Sequence, residues 1–92
     1  MPAITDAAKP RLAGKARLKW DAVREKHLLL FPEGVLVLNQ TAHDVLELCD
    51  GRRTVADLVS LLGQRYQSDA IGGDVKQALQ ALAEKSLVQL DG

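Results

Sequence analysis

The side chains of this sequence that could coordinate a metal ion or act as a nucleophile are His27, His43 and Cys49. Imidazoles and a thiolate are common zinc ligands. Their spacing matches no zinc-binding pattern, and one cysteine with two histidines leaves no clear fourth ligand. Cys49 lies on the apolar stripe of a predicted helix, which favours a buried, unreactive thiol. We therefore expect no metal site.

A second candidate for chemistry is the polar stretch Asp50–Arg53, which follows that helix. The Asp-Gly pair is typical of a helix end, so the stretch is interpreted as a solvated turn. The sequence has no nucleophile in a recognisable turn and no paired carboxylates on an obvious cleft. We expect no catalytic residues, no cofactor and no enzymatic activity.

The composition limits the classes of function that remain. The chain has 92 residues, 47% of them hydrophobic, with 12 basic and 12 acidic side chains. A balanced charge disfavours non-specific nucleic-acid binding, which needs a cationic face. The single cysteine excludes an internal disulfide and fits a reducing compartment. The N-terminus has no apolar signal segment, and no apolar run is long enough to cross a membrane. We expect a cytoplasmic protein.

Residues 15–38 show the patterns of three antiparallel strands. From Lys15 to Ala22, apolar and polar residues alternate, as in a half-buried strand. Two almost wholly apolar strands follow, His27–Phe31 and Val35–Leu38, joined by a turn that ends at Gly34. Because these two strands do not alternate, both faces of the hairpin are apolar, and we expect one face or an open edge to meet a partner.

A helical period replaces the alternation after residue 40. It predicts helices over 41–50, 54–66 and 74–85, with N-caps at Thr41, Thr54 and Asp74. Residues 87–90 are predicted to be a short strand or extended segment. The fold class is α+β: a winged helix-turn-helix-like domain with a three-stranded antiparallel sheet followed by a three-helix bundle. Residues 1–14 are predicted to be an N-terminal arm, and residues 15–92 a single domain.

Two motifs carry a resemblance to a known family. R-x-x-x-x-L-L-x-P-E-G spans Arg24–Gly34, and L-x-L-C-D-G-x-R-T-V spans Leu46–Val55. From about Pro10 to Leu90 the chain resembles the pyrroloquinoline quinone (PQQ) biosynthesis protein D (PqqD) family. The resemblance implies a peptide-binding domain without catalysis, which recognises the precursor of a ribosomally made, modified peptide. The PQQ precursor peptide (PqqA) would add as a strand, and the domain would present it to a radical-SAM enzyme (PqqE).

The family's peptide site is carried over to Val35–Leu38 and the helix Asp74–Lys85. The strand residues expected to bind the peptide are Val35, Leu36, Val37 and Leu38. The helix residues are Val75, Lys76, Ala78 and Leu79. Because one stripe cannot face both the core and a groove, we expect Leu79 and Leu82 in the core. Val75, Ala78 and the stem of Lys76 are expected in the groove.

Exposed cations are the residues expected to contact the enzyme. They are Arg17 and Lys19 on the first strand, and Arg52 and Arg53 in the loop. The chain departs from the family at Ser86, where a glycine is usual, and at Ala78, where a bulky aromatic is common.

Two other classes of function remain open from the sequence. A winged helix could bind DNA, but the acidic and basic residues of the third helix cancel. The apolar strands could instead pair with a second copy, giving a homodimer through residues 1–40.

Overall fold

The computed structural model describes residues 4–68 and 70–91, so the first three residues of the expected arm lie outside the described residues. The strands are β1 (Lys9–Leu12), β2 (Arg17–Asp21), β3 (Lys26–Phe31), β4 (Gly34–Leu38) and β5 (Val88–Asp91). The helices are α1 (Gln40–Glu47), α2 (Val55–Tyr66) and α3 (Ile71–Glu84). None of the helices over the described part of the chain is long and apolar enough to cross a membrane.

The predicted antiparallel sheet is present, with strand order β2-β3-β4. The register places Leu18 opposite Leu29 and Leu29 opposite Leu36. Residues directly opposite each other in antiparallel strands point to the same face, so these three leucines define the face turned toward the core. Leu29 is fully buried there, and Leu38 is buried at the end of β4. The predicted α+β fold, a three-stranded sheet followed by three helices, is confirmed.

The opposite face of this sheet, which we call the outer face, is also apolar on the hairpin. Its apolar members are Leu28, Leu30, Val35 and Val37, which pair across β3 and β4. Val35 and Val37 are 58% and 56% exposed, and the two leucines are half-buried. The expectation that both faces of the hairpin are apolar is therefore confirmed.

A second sheet, of two strands, is only partly predicted by the sequence: the strand expected near residues 87–90 is present as β5, but its partner β1 was not expected. β1 pairs antiparallel with β5, with Lys9 opposite Asp91 and Leu12 opposite Val88. Pro10 is fully buried, and the backbone N–H of Ala13 donates to the carbonyl of Leu87 at 2.9 Å. Residues 9–12 therefore do not form a separate N-terminal arm, because they pair with the strand at the opposite end of the same chain.

Helix starts differ from the predicted ones at two of three positions. The side chain of Asn39, not Thr41, caps α1 by accepting from the N–H of Ala42 at 2.8 Å. Thr54 caps α2 as predicted, and its capping box with Asp57 is formed in both directions. α3 begins at Ile71 with no side-chain cap, three residues before the expected Asp74.

The three helices and the inner sheet face enclose an aliphatic core. Leu46, Leu58 and Leu79, one from each helix, are 2%, 0% and 0% exposed. α3 ends at Glu84, and Ser86 beyond it has φ of 60°, in the left-handed region that favours glycine. The chain therefore turns sharply after α3, and this turn brings Leu87 and β5 back onto the core.

Candidate functional site

A groove of about 500 Å³ lies between β4 and α3. On the helix side its lining residues follow one face at i, i+3, i+4, i+7 and i+8. On the strand side it is bounded by the second half of β4, and its floor is formed by the start of α1. The lining residues are Leu36, Val37, Leu38, Asn39, Thr41, Ala42, Asp74, Gln77, Ala78, Ala81 and Leu82.

The groove is open because small side chains occupy its walls. Ala78 and Ala81 on α3 face the strand side, with Ala42 of α1 in the floor. A larger residue at any of these positions would fill part of the space. The apolar wall is completed by Leu36 and Leu38, while Asp74 and Gln77 place polar atoms at the end near the start of α3.

β4 lies at the edge of its sheet. Within the described residues it pairs with β3 along one side and with no strand along the other. Successive residues of a strand direct their backbone N–H and C=O groups to opposite sides, so alternate residues of β4 present these groups to the open edge. An open edge beside a groove is the arrangement that accepts an extended chain by strand addition.

The structure brings together five of the eight residues predicted to bind a peptide and separates three. Leu36, Val37, Leu38 and Ala78 line the groove, and Val35 lies on the same strand with its side chain on the outer face. Leu79 is fully buried, as expected for a core residue.

Two expectations about the helix are wrong. Val75 is fully buried in the core and does not line the groove. The Nζ of Lys76 lies 2.9 Å from a carboxylate oxygen of Asp6, on a different side of α3. Both errors have one cause: the helix is rotated so that residues 74, 77, 78, 81 and 82 face β4. Leu82 is buried and also borders the groove.

The predicted enzyme-contact residues fall into two separate groups. Arg17 and Lys19 lie opposite Leu30 and Leu28, so they are exposed at the border of the outer face. Arg53 pairs with Asp50 at 3.0 Å in the loop before α2. The backbone N–H groups of Arg53 and Arg52 donate to Asp50 and hold the pKa of its carboxyl below the usual value.

The motif around Asp50 has a structural role in this loop. Gly51 has φ of 78°, and its N–H donates to the carbonyl of Pro10 at 3.0 Å. A Cβ added there would lie 3.3 Å from the side chain of Arg11. Glycine is therefore required both by the backbone conformation and by the close approach of β1.

Cys49 does not take part in a metal site. Its thiol is buried and donates to the carbonyl of Val45 at 3.1 Å. Burial, with the nearby charge of Asp50 adding to it, raises the pKa of the thiol to about 12. The thiol therefore stays protonated at neutral pH, as expected for an unreactive cysteine.

His27 and His43 stack on each other with ring centroids 3.6 Å apart. The ring of Trp20 lies beside that of His27, with centroids 4.8 Å apart, and is 51% exposed. β2 is an edge of the sheet, so the indole lies at its rim.

An unpredicted polar network is centred on Asp44 of α1, which is 4% exposed. Its carboxylate accepts hydrogen bonds from the hydroxyl of Tyr66, from Gln40 at 3.0 Å and from His43 at 3.2 Å. A guanidinium nitrogen of Arg65 lies 3.6 Å away. Burial alone would raise the pKa of Asp44, but these hydrogen bonds and the guanidinium outweigh it, so the pKa is lowered.

Ligand-type atoms of His43, Asp44 and Glu47 lie within 4.8 Å of one another. The carboxylate of Asp44 already accepts hydrogen bonds and contacts the guanidinium of Arg65. We therefore interpret these side chains as part of an internal polar network. The sequence patterns do not reveal this network, because its partners at residues 65 and 66 are about 20 positions away along the chain.

The fold and the groove define a small winged-helix domain with an open strand edge, a class suited to binding an extended segment. The chain belongs to the PqqD family: the family model for coenzyme PQQ synthesis protein D (PqqD) matches residues 26–88. This confirms the resemblance carried by the two sequence motifs.

Two similar proteins support this assignment, one of nearly the same length and one a longer fusion. A PqqA binding protein of Kluyvera intermedia is 40% identical over 87 residues, which are 94% of this chain and 95% of the relative. A bifunctional coenzyme PQQ synthesis protein C/D of Methylorubrum extorquens is 40% identical over 89 residues, covering 95% of this chain and 24% of that longer protein.

A solved structure shares the fold. It is the solution NMR structure of the PqqD truncation of Methylobacterium extorquens PqqCD, described as a functional, stand-alone recognition element for ribosomally synthesised and post-translationally modified peptides. The TM-score is 0.76 at 43% sequence identity, covering 87% of each chain.

Proposed function

We propose that this protein binds the PQQ precursor peptide as an additional strand on the open edge of β4, beside α3. The observation that carries the proposal is the groove between an unpaired strand edge and a helix face with alanines at 78 and 81. The relatives named PqqA binding protein support the choice of ligand.

The groove accounts for both affinity and selectivity in this mode of binding. Backbone hydrogen bonds to the free edge of β4 would hold the peptide extended, whatever its sequence. Alternate side chains of an added strand point to opposite faces of the sheet. One set would therefore enter the groove and contact Leu36, Ala78 and Leu82, and the other set would join the outer face.

The protein acts in this proposal as a carrier without catalysis of its own. It presents the bound peptide to the radical-SAM enzyme (PqqE) in the cytoplasm, with Arg17 and Lys19, or Arg52 and Arg53, at the contact. The fusion of a similar domain to another PQQ synthesis protein supports a role beside the pathway's enzymes. The peptide-binding unit comprises residues 15–92, with β1 packed against its end.

Amide chemical shifts test the peptide site. On addition of the precursor peptide, we expect the largest shifts at Leu36 and Val37. Successive residues direct their N–H groups to opposite sides, so one member of this pair faces the incoming strand and its neighbour donates to β3. Two-dimensional NMR of labelled protein measures both. Shifts confined to the 50–54 loop, with β4 unchanged, would move the site to that loop.

A homodimer through residues 1–40 is the second arrangement that the open edge supports. β1 is already paired with β5, so within this segment the open edges of β2 and β4 are available for strand pairing. If two copies pair through β4, the peptide competes for the same edge. We expect a dimer mass at high concentration by light scattering and a return to the monomer mass with saturating peptide. A monomer mass throughout would exclude the dimer.

A further inference from the structure

The outer face of the sheet is an exposed apolar surface that shares only Val37 with the lining of the peptide groove. Leu28 and Leu30 on β3 lie directly opposite Val37 and Val35 on β4. The two valines are 56% and 58% exposed, although they are on a surface of regular sheet where polar residues would be expected. A contiguous apolar face of this kind marks a contact with another molecule.

Cations border this face on one side. Lys19 lies directly opposite Leu28, and Arg17 directly opposite Leu30, so both project from β2 on the outer face. Asp21 ends the same row and lies opposite Lys26, so β2 and β3 place three cations and one carboxylate on this face. In a chain with 12 basic and 12 acidic residues, this is a local excess of positive charge. The face therefore fits a partner whose own patch is apolar with carboxylates along one side.

Strand addition would enlarge the same face. A peptide on the open edge of β4 places every second side chain beside Val35 and Val37, in the plane of the outer face. A partner on this face would therefore touch the domain and the bound peptide together. The face and the groove lie on opposite sides of the added strand, so both can be occupied at once.

We propose that the outer face is the docking surface for the enzyme that modifies the peptide, and that the bound peptide completes it. This inference rests on the proposed function, because the composite surface exists only if the peptide adds to β4. With this docking surface, the cations at the enzyme contact are Arg17 and Lys19 and not Arg52 and Arg53. A second copy of the chain suits the face less well, since it would bring an identical cationic row.

Single substitutions on the outer face separate enzyme binding from peptide binding. Lys19→Glu reverses a charge at the border, and Leu28→Thr replaces an apolar side chain by a polar, β-branched one that suits a strand. We expect each to weaken binding of the purified radical-SAM enzyme by about tenfold. Affinity for the precursor peptide should change by less than about twofold, because neither side chain lines the groove.

The matched control is Lys9→Glu, which makes the same charge reversal on the exposed side of β1 in the other sheet. It should leave enzyme affinity within about twofold of the wild-type value. Wild-type protein saturated with peptide should bind the enzyme at least about fourfold more tightly than the free protein. That ratio corresponds to the burial of a single added methylene group. Titration calorimetry on circular-dichroism-verified, folded variants gives all of these affinities.

Two results would overturn the inference. One is an enzyme affinity that is unchanged in Lys19→Glu and Leu28→Thr. The other is a wild-type protein that binds the enzyme equally tightly with and without peptide. Weakening by Arg52→Glu alone would place the contact on the loop before α2 and overturn it too. A concentration-dependent dimer that Leu28→Thr abolishes would assign the face to a second copy. Loss of peptide binding by the wild-type protein is a different result, since it contradicts the proposed function itself.

Discussion

Asp44→Ala is expected to lower the free energy of unfolding by about 3 kcal/mol. The substitution removes a buried acceptor and leaves the half-buried hydroxyl of Tyr66 without its partner, while the exposed amide of Gln40 can bond to water. A hydrogen bond to a charged group contributes about 1.5–3 kcal/mol, so the Tyr66 bond accounts for most of the expected loss and the Gln40 bond for less. These contributions are coupled, so the total stays below their sum. Urea denaturation followed by circular dichroism measures the change.

Two control substitutions test whether the loss of stability comes from the hydrogen bonds of Asp44. Glu47→Ala removes a half-exposed carboxylate one turn later on α1, 3.6 Å from His43, and should change stability by no more than about 0.5 kcal/mol. Tyr66→Phe deletes the hydroxyl and should cost about 1.5 kcal/mol. In the Asp44→Ala background, Tyr66→Phe should cost much less, because the bond is already lost. Additive effects in this cycle would contradict a direct Tyr66–Asp44 bond.

The same network predicts the sensitivity to acid. The folded-state pKa of Asp44 lies below its ordinary value of 3.8. A carboxyl whose pKa is lowered by folding stabilises the fold above its unfolded pKa, and this contribution is lost as pH falls toward the folded pKa. Stability of the wild-type protein should therefore decline from about pH 4 downward more steeply than that of Asp44→Ala. Parallel curves would mean that Asp44 has the same pKa in both states.

The elements that the sequence predicts correctly are those marked by residues close together in the chain. The hairpin and α2 are marked by apolar runs, by a turn glycine and by the capping box at Thr54, all within a few residues. The predicted start of α3 is too late because Gly72 and Gly73, which disfavour a helix interior, lie within its first turn. The buried stripe in fact begins at Ile71, four residues before Val75, and this spacing was the available signal.

The elements that were missed depend on distant parts of the chain. β1 has four residues, one of them a proline, and its partner β5 lies at the other end of the sequence. No local period marks such a strand, because its stability comes from the pairing and from the burial of Pro10. The Asp44 network is similar: its donors at residues 65 and 66 are on another helix.

The groove shows why the rotation of a helix is hard to predict. α3 contacts the core on one side and borders the groove on another, and both sides contain apolar or small residues. The hydropathy pattern identifies one apolar stripe on the helix, but it does not show which of its residues face the core and which face the groove. Gln77 and Ala81 were overlooked because polar and small residues do not stand out in such a pattern. Only the position of β4 identifies them as groove residues.

Ala78→Asp is expected to weaken binding of the precursor peptide by about 1–3 kcal/mol, which is about 5- to 150-fold, with the fold intact. Ala78 is half-buried and faces β4 across the groove. A carboxylate there would occupy space meant for a peptide side chain and would lose water when the peptide binds. Asp74 lies one turn earlier on the same face, so the new charge would also lack a favourable partner.

The matched control is Gln80→Asp, which places the same side chain on α3 about half a turn away, at an exposed position. Each variant carries a helix-propensity penalty below about 1 kcal/mol, which is smaller for Gln80→Asp because glutamine is a weaker helix former than alanine. Circular dichroism and thermal denaturation should therefore show folded proteins in both cases. Calorimetry with the precursor peptide should then show weaker binding for Ala78→Asp and near wild-type affinity for Gln80→Asp. If both bind normally, this face of α3 does not touch the peptide. If both are weakened equally, the effect comes from net charge, not from the groove.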